Sequence, residues 1–229
     1  MKTIAIGDVH GCYELLLDTV TSYMHSDAEL VFLGDLFDRA PTFDGDIKTL
    51  EFICDLQREP THYGFSNVIV LRGNHEQLLL DAYETGDTEA WLYNGGDLNF
   101  LEYLRDNPQH VEWLRNLPYY LIRGNYLLVH AGVRPGVPLW DQDEDDFLWY
   151  RSNPNQGHVP HGLPYTVIHG HTIQIPPVIT HYSDSIAIDT GAFATGILSS
   201  ILIEYNETDL PSAQHGASRS TDATITNSD

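Results

Sequence analysis

Thr3-Ile4-Ala5-Ile6-Gly7-Asp8-Val9-His10-Gly11 runs from a short β-forming apolar segment straight into a carboxylate and an imidazole set between glycines. The same design recurs twice. Leu30 to Leu33 precedes Gly34-Asp35-Leu36-Phe37-Asp38-Arg39, and Val68 to Leu71 precedes Arg72-Gly73-Asn74-His75-Glu76. Two later runs, Tyr126 to Val129 and Tyr165 to Ile168, are followed by His130 and by Gly170-His171-Thr172. Runs of this length and apolarity predict buried strands. Between the first three, Tyr13 to Met24 (Leu16, Leu17, Val20, Met24) and Ile47 to Leu56 (Ile47, Leu50, Ile53, Leu56) have helical spacing. The first half therefore reads βαβαβα with a largely parallel sheet, and ligands of such sheets lie beyond the carboxyl ends of the strands, where these motifs fall.

In the second half, Tyr119 to Ile122 and Tyr126 to Val129 flank Gly124-Asn125, a two-residue hairpin signal. Val178 to Thr180, Ser185 to Asp189 and Leu198 to Tyr205 predict further strands, assigned to a second, mixed sheet packed on the first. A helical insertion, about Thr88 to Leu117, separates the halves and is expected to overhang the strand ends. The expectation is an α/β fold of two mixed sheets forming a sandwich flanked by helices. One domain spans 1–210, and the Ser/Thr/Asp-rich stretch 211–229 is expected to be a disordered tail.

The 229 residues include 33 acidic against 11 basic, for a formal net charge of −22. Such a field opposes nucleic-acid binding. It fits either an ordinary acidic cytoplasmic protein or one adapted to high salt, where screening removes self-repulsion. No run has the roughly 18 apolar residues of a membrane span, and Met1-Lys2 leads directly into a strand pattern, so a cytoplasmic protein without a membrane partner is expected. Cys12 and Cys54 lack paired spacing and are expected to be reduced. The Asn206-Glu207-Thr208 sequon is expected to be idle.

A Gly-Asp or Gly-Asn pair alone is an ordinary turn. Three such motifs in the order DxH, DxxDR and NHE, followed by two strand-terminal histidines, bring hard oxygen and imidazole ligands toward one place and suit a pair of divalent metal ions.

These motifs resemble the calcineurin-like metallophosphoesterases, specifically the PPP-type serine/threonine protein phosphatases of the compact bacterial and phage kind. The resemblance continues through His130-Ala131-Gly132, Asp143 to Asp146, Leu148-Trp149-Tyr150-Arg151, Gly170-His171-Thr172 and Ile188 to Ala192, covering about Thr3 to Tyr205. It implies a dimetal site at the strand carboxyl ends: Asp8 and His10 on one ion, Asp35 bridging, and Asn74, His130 and His171 on the second. It further implies His75 as general acid, with Asp38 orienting it and raising its pKa, and Arg39 and Arg151 gripping phosphate. The implied reaction is phosphomonoester hydrolysis on phosphoserine or phosphothreonine, extending to phosphotyrosine and small aryl phosphates, by direct attack of a metal-bridging hydroxide. Mn²⁺ is the favoured metal, with Fe, Zn, Co or Ni also compatible. Phosphoproteins or small phosphoesters are the expected partners, and oligomeric state is left open. A symmetrical dinucleoside polyphosphate hydrolase shares the signatures and is the alternative enzyme; a metal-bound scaffold without turnover is the alternative of another class.

Other residues receive lesser roles. His169 is read as a supporting or packed residue rather than a ligand, Arg72 as a structural ion-pair partner, and Asp189 as support for the site. Arg134 is left undecided. His158 and His161 are read as solvent-exposed, and Asp143 to Asp146 as a solvated helix start near Arg151. Ala40 departs from the family's usual glycine after Arg39, so the loop is expected to turn differently.

Overall fold

The computed structural model describes residues 1–152, 158–206 and 208. The boundary near 210 and the tail 211–229 lie outside them, as does Glu207 of the sequon. The first half is as its periodicity predicts. Strands β1 (Lys2–Ile6), β2 (Glu29–Phe32) and β3 (Asn67–Val70) are parallel and in the order β3-β2-β1, joined by helices α1 (Tyr13–Tyr23) and α2 (Gly45–Arg58). Helix α3 (Asn74–Thr85) follows β3. The insertion forms three helices, α4 (Glu89–Tyr93), α5 (Leu98–Asp106) and α6 (Pro108–Arg115).

The hairpin of β4 (Tyr120–Arg123) and β5 (Tyr126–Val129) turns at Gly124-Asn125, with Gly124 at φ 56°. It opens a mixed sheet of order β4-β5-β6-β8-β7, with β6 at Thr166–His169, β7 at Thr180–His181 and β8 at Ser185–Ala187. The last strand, β9 (Ser200–Glu204), is not in this second sheet as expected but pairs antiparallel with β1 in the first. The free edge of β1 accepts it: Thr3 lies opposite Ile203 and Ile6 opposite Ser200, and Met1 and Tyr205 exchange backbone hydrogen bonds beyond the ladder.

Strand alternation distributes the core. Ala5, Val31, Ile203, Leu128, Ile168 and Ile186 meet between the two sheets. Ile4, Ile6, Leu30 and Phe32 face the helices on the outer side of the first sheet. Leu127, Val129 and Val167 pack outward against Phe147 of α7 (Glu144–Trp149). The sandwich is thus filled on three levels, leaving the strand carboxyl ends as the place where polar loops gather. Cys12 and Cys54 are free thiols. Among the described residues no helix is long and apolar enough to cross a membrane.

Candidate metal centre

The strand-end loops are tied to one another through their backbones. The amides of Val9 and His10 both donate to the Asp35 carbonyl at 3.0 Å, and that of Gly11 donates to the Leu36 carbonyl at 2.8 Å. The Glu76 carboxylate accepts from the amides of Asp35, Leu36 and Gly73, each at 2.8 Å. Burial, with the nearby Asp35 charge adding to it, raises Glu76 to about 8 against the opposing pull of those amides. So held, His10, Asp35, Asp38, Arg39 and His171 all keep positive φ, between 48° and 69°. Non-glycine residues adopt this only when their surroundings impose it, and it recurs at functional sites. Ala40 is not among them: Asp38 and Arg39 make the turn, and the Ala40 methyl sits where a Cβ on Gly11 would come within 2.4 Å of it.

Asp35 is the hub of the site. His130 Nδ1 donates to the Leu33 carbonyl at 3.0 Å, which leaves the lone pair on Nε2. Around that lone pair stand the Asn74 side-chain oxygen at 2.9 Å, His171 Nδ1 at 3.2 Å and Asp35 Oδ1 at 3.3 Å. On the other side, His10 Nδ1 donates to the Phe37 carbonyl at 2.9 Å, so its Nε2 lone pair faces Asp35 Oδ2 at 3.7 Å. The two oxygens of one carboxylate therefore serve two groups: His10, Asp35 and His75, and Asp35, His130 and His171, each with ligand atoms within 4.8 Å of one another. Asp8 stands beside them, both oxygens accepting from the His171 amide at 3.0 and 3.2 Å.

Burial lowers the pKa of all three imidazoles, His130 to about 3, and raises those of Asp8 and Asp35. Neutral histidines and crowded carboxylates that face each other with too few donors form an unfavourable cluster unless a cation stands among them. His171 Nε2 is also buried without a partner. The mixed oxygen and nitrogen donors suit divalent transition ions, so the residues fit the expected pair of metals.

His75 offers a different contact. Its Nδ1 lies 2.6 Å from Asp38 Oδ2, and its Nε2 points toward Asp35 Oδ2 at 3.9 Å. Both side chains are buried. Burial is the largest influence on each, pushing the His75 imidazole down and the Asp38 carboxyl up, so the upward shift of His75 expected from its carboxylate neighbour is overridden. Arg39 reaches His10 Nε2 with Nη1 at 3.2 Å, and its guanidinium lies 5.1 Å from the Phe193 ring centre. Arg151 donates to Thr172 Oγ1 at 3.2 Å, beside the His171 loop. Asp189 accepts from the Gly191 amide at 2.8 Å, and burial raises it to about 6, with Asp35 adding to the rise.

Several lesser expectations are corrected. His161 is buried: its Nε2 donates to the Asp184 carbonyl at 2.9 Å and its Nδ1 accepts from the Leu163 amide at 3.0 Å. His158 is half-buried, bonded to Asp184 and stacked on Tyr182 with ring centres 4.5 Å apart. Arg72 has no ion pair among the described residues; it donates to Gln77, Tyr119 and the carbonyls of Leu114 and Arg115, and lies over the Tyr119 ring. The Asp143 to Asp146 run is the largely exposed helix start that was expected, with Asp143 capping α7, and it also holds Arg134, whose Nη2 lies 3.1 Å from Asp143 and 2.6 Å from Asp146. His169 ends β6 and lines a cavity of about 60 Å³ with His158, His161 and Tyr182, next to Ala131 and Thr172, the chain neighbours of His130 and His171. His171, two residues on, lies beyond the end of the strand at φ 62°, so it does not share the strand face of His169.

Sequence reading missed Trp91, whose indole donates to Asp38, and Phe193, whose ring meets the His10 imidazole edge-on at 5.1 Å. The amide-binding role of Glu76 was not expected either. Only Glu76 carried a local signal, as the third residue of a helix start.

A sequence profile of calcineurin-like phosphoesterases matches residues 1–189. The serine/threonine-protein phosphatase 2 of Salmonella typhimurium is 31% identical over 209 residues, 85% of this chain and 89% of its own. A symmetrical bis(5′-nucleosyl)-tetraphosphatase of Aromatoleum aromaticum is 32% identical over 138 residues, 59% of this chain and 46% of its own. Among solved structures, a cold-active protein-tyrosine phosphatase from a psychrophilic Shewanella species superposes with a TM-score of 0.67 over 89% of this chain and 75% of that one, at 20% identity, a likeness of fold.

Proposed function

This chain belongs to the calcineurin-like phosphoesterase family, and from that premise we propose that it is a metal-dependent phosphomonoesterase hydrolysing phosphoserine and phosphothreonine, with phosphotyrosine and small aryl phosphates as further substrates. The observation that carries this reading is the buried His75–Asp38 pair, aimed by Nε2 at the carboxylate shared by two ligand groups. Asp8, His10 and Asp35 would hold one cation, and Asp35, Asn74, His130 and His171 the other. When bound, the two ions supply Lewis-acid stabilisation of the phosphoryl oxygens and lower the pKa of a water enough for it to attack phosphorus near neutral pH. By the resemblance to the compact bacterial and phage phosphatases Mn²⁺ is the metal we favour, this mixed donor set being equally compatible with Fe, Zn, Co or Ni.

Arg39 and Arg151 grip the phosphoryl oxygens, a task for a planar fork of donors. As the bond from phosphorus to the leaving oxygen breaks, His75 Nε2 delivers its proton to that oxygen, producing an alcohol and inorganic phosphate. Asp38 holds Nδ1 at 2.6 Å, so the imidazole cannot turn its other nitrogen to the task.

Hydrolysis of a dinucleoside tetraphosphate is the second reading, favoured by the Aromatoleum relative. Against it, Arg39 and Arg151 are the cations whose charge bears on Asp35 and Asp189 among the described residues, while Arg134 is engaged by two aspartates, Lys48 pairs with Asp44, and Arg72 is turned into the protein. A monoester asks for no more than Arg39 and Arg151. The proposal includes a cytoplasmic location and a phosphoprotein or small phosphoester as partner; the charge of −22 supports the exclusion of nucleic acid.

A panel of phosphopeptides, an aryl phosphate, a dinucleoside tetraphosphate and a diester tests this, each with Mn²⁺ and after chelation. Phosphopeptide and aryl phosphate turnover that disappears on chelation and returns with Mn²⁺ is expected. Faster turnover of the tetraphosphate would establish the second reading, and bound metal with no turnover would leave a scaffold. In the same panel His75→Asn is expected to slow poor leaving groups by roughly 10² to 10⁴ and activated aryl phosphates less; equal slowing would remove His75 as the proton donor.

A further inference from the structure

Asp38 and Arg39 are adjacent in sequence but have separate tasks, one behind the proton donor and the other on the phosphate. Both are held by a single short stretch of the helical insertion, Trp91 to Gly96. Trp91, 1% exposed, donates from Nε1 to Asp38 Oδ1 at 2.8 Å, on the carboxylate whose other oxygen holds His75. Three residues later the Asn94 carbonyl accepts from Arg39 Nε at 3.1 Å, and the Gly95 carbonyl accepts from the Arg39 amide at 3.0 Å.

The two glycines make this double grip possible. Gly95 has φ 101°, and a Cβ there would come within 2.7 Å of Arg39 Cγ. A Cβ on Gly96 would fall 2.2 to 2.7 Å from atoms of the Trp91 ring, so the chain folds back onto the indole it has just placed. The turn closes through backbone bonds from the Gly95 amide to the Leu92 carbonyl and from the Gly96 amide to the Trp91 carbonyl.

We propose that Trp91–Gly96 is a positioning element that sets both the proton donor and the phosphate fork, Trp91 acting through Asp38 on His75 and Asn94-Gly95 acting on Arg39. The inference rests on the roles given above to His75, Asp38 and Arg39. A side chain that only fills core space would supply volume; Trp91 also supplies one aimed N–H, without which Asp38 Oδ1 would be buried and unpaired. The Asp38 carboxylate could then rotate, and His75 would lose its fixed orientation. The Asn94 carbonyl bears instead on the Arg39 guanidinium and the Gly95 carbonyl on the Arg39 backbone amide, so disturbing them weakens phosphate binding without touching proton donation.

The test is a double-mutant cycle on the Mn²⁺-loaded enzyme, with metal stoichiometry measured for every variant. Trp91→Phe is expected to lower kcat for a phosphopeptide on the order of 10- to 100-fold, as loss of an orienting partner does. Turnover of an activated aryl phosphate and inhibition by inorganic phosphate should change far less, with two metals retained. Combined with Asp38→Asn, Trp91→Phe should add little to the loss that Asp38→Asn causes alone. Gly95→Ala should instead raise KM and the phosphate inhibition constant several-fold while keeping the leaving-group dependence of the parent. Independent, multiplicative losses in the cycle, or equal slowing of both leaving groups by Trp91→Phe, would make Trp91 a packing residue and overturn the inference. An unchanged phosphate inhibition constant in Gly95→Ala would overturn its second half. If Asp38→Asn alone leaves phosphopeptide turnover intact, it is the underlying acid assignment that fails.

Discussion

Two aspartates in this protein gather histidines, and they do so in opposite ways. Asp184 accepts from His158 and, at 2.8 Å, from the His161 amide, while His161 spends both ring nitrogens on backbone groups. Against the upward push of burial, those hydrogen bonds hold Asp184 below its ordinary value. At Asp35 burial prevails and the carboxyl is pushed up, with lone pairs from His10 and His130 turned toward it and their donors committed to carbonyls elsewhere. Proximity of histidine to aspartate therefore says little about metal binding. What distinguishes the two regions is where the ring N–H groups point: those of His158 and His161 meet acceptors on Asp184, whereas Asp35 receives the His75 amide at 3.0 Å but faces the ring lone pairs of His10 and His130.

The largest expected effect breaks the comparison directly. Asp35→Ala should abolish turnover and lower metal stoichiometry, whereas Asp184→Ala should keep both and cost about 1–3 kcal/mol of stability through lost hydrogen bonds. Elemental analysis and melting curves on the two variants check it, and two tightly held ions in Asp35→Ala would end the assignment of a shared carboxylate.

A smaller effect concerns an aspartate that resembles neither. Asp46 is buried, accepts from the Asp38 amide at 3.0 Å, and is raised by burial, and then by Asp38, from 3.8 to about 7. The folded state keeps this proton to higher pH than the unfolded chain, so ionisation costs stability as pH rises from about 4 to about 7. Asp46→Asn keeps an acceptor oxygen and carries no such cost. Its stability advantage over the wild type should grow across that window by on the order of a few kcal/mol, read from denaturant curves at pH 5 and 8. A difference independent of pH would show that Asp46 is not neutral in the fold.

The smallest effect contrasts buried charge with the acidic surface. Screening hardly reaches the buried clusters but weakens repulsion among exposed carboxylates, so a saline-adapted protein should melt several degrees higher in molar KCl. The series belongs at saturating Mn²⁺ with a chelated series beside it, because bound metal stabilises in its own right. A melting temperature that falls with salt in both series leaves an ordinary acidic protein.

Much of the fold was legible in the chain. The parallel first sheet, its helices and the Gly124-Asn125 hairpin follow from short-range periodicity and turn chemistry, and the polar motifs announce themselves at strand ends. The expected site residues do lie at one end of the sandwich. Harder to read were residues whose partners are distant. Arg72 finds neutral acceptors on α6 and beyond where an ion pair was expected, and His161 sits in a loop that looks exposed until Asp184 arrives beside it.

Residue type and spacing alone determined that this chain carries carboxylate, amide and imidazole side chains on strand-end loops, because those are properties of neighbours in sequence. Only the tertiary structure decided that β9 closes on β1, since an alternating strand fits the edge of either sheet and its own residues do not name the partner. Only the tertiary structure likewise placed Trp91 on Asp38, 53 residues away, where a large apolar side chain in a helix would otherwise be read as core. Periodicity records which face of an element is buried; the direction of a hydrogen bond across the fold depends on which elements meet.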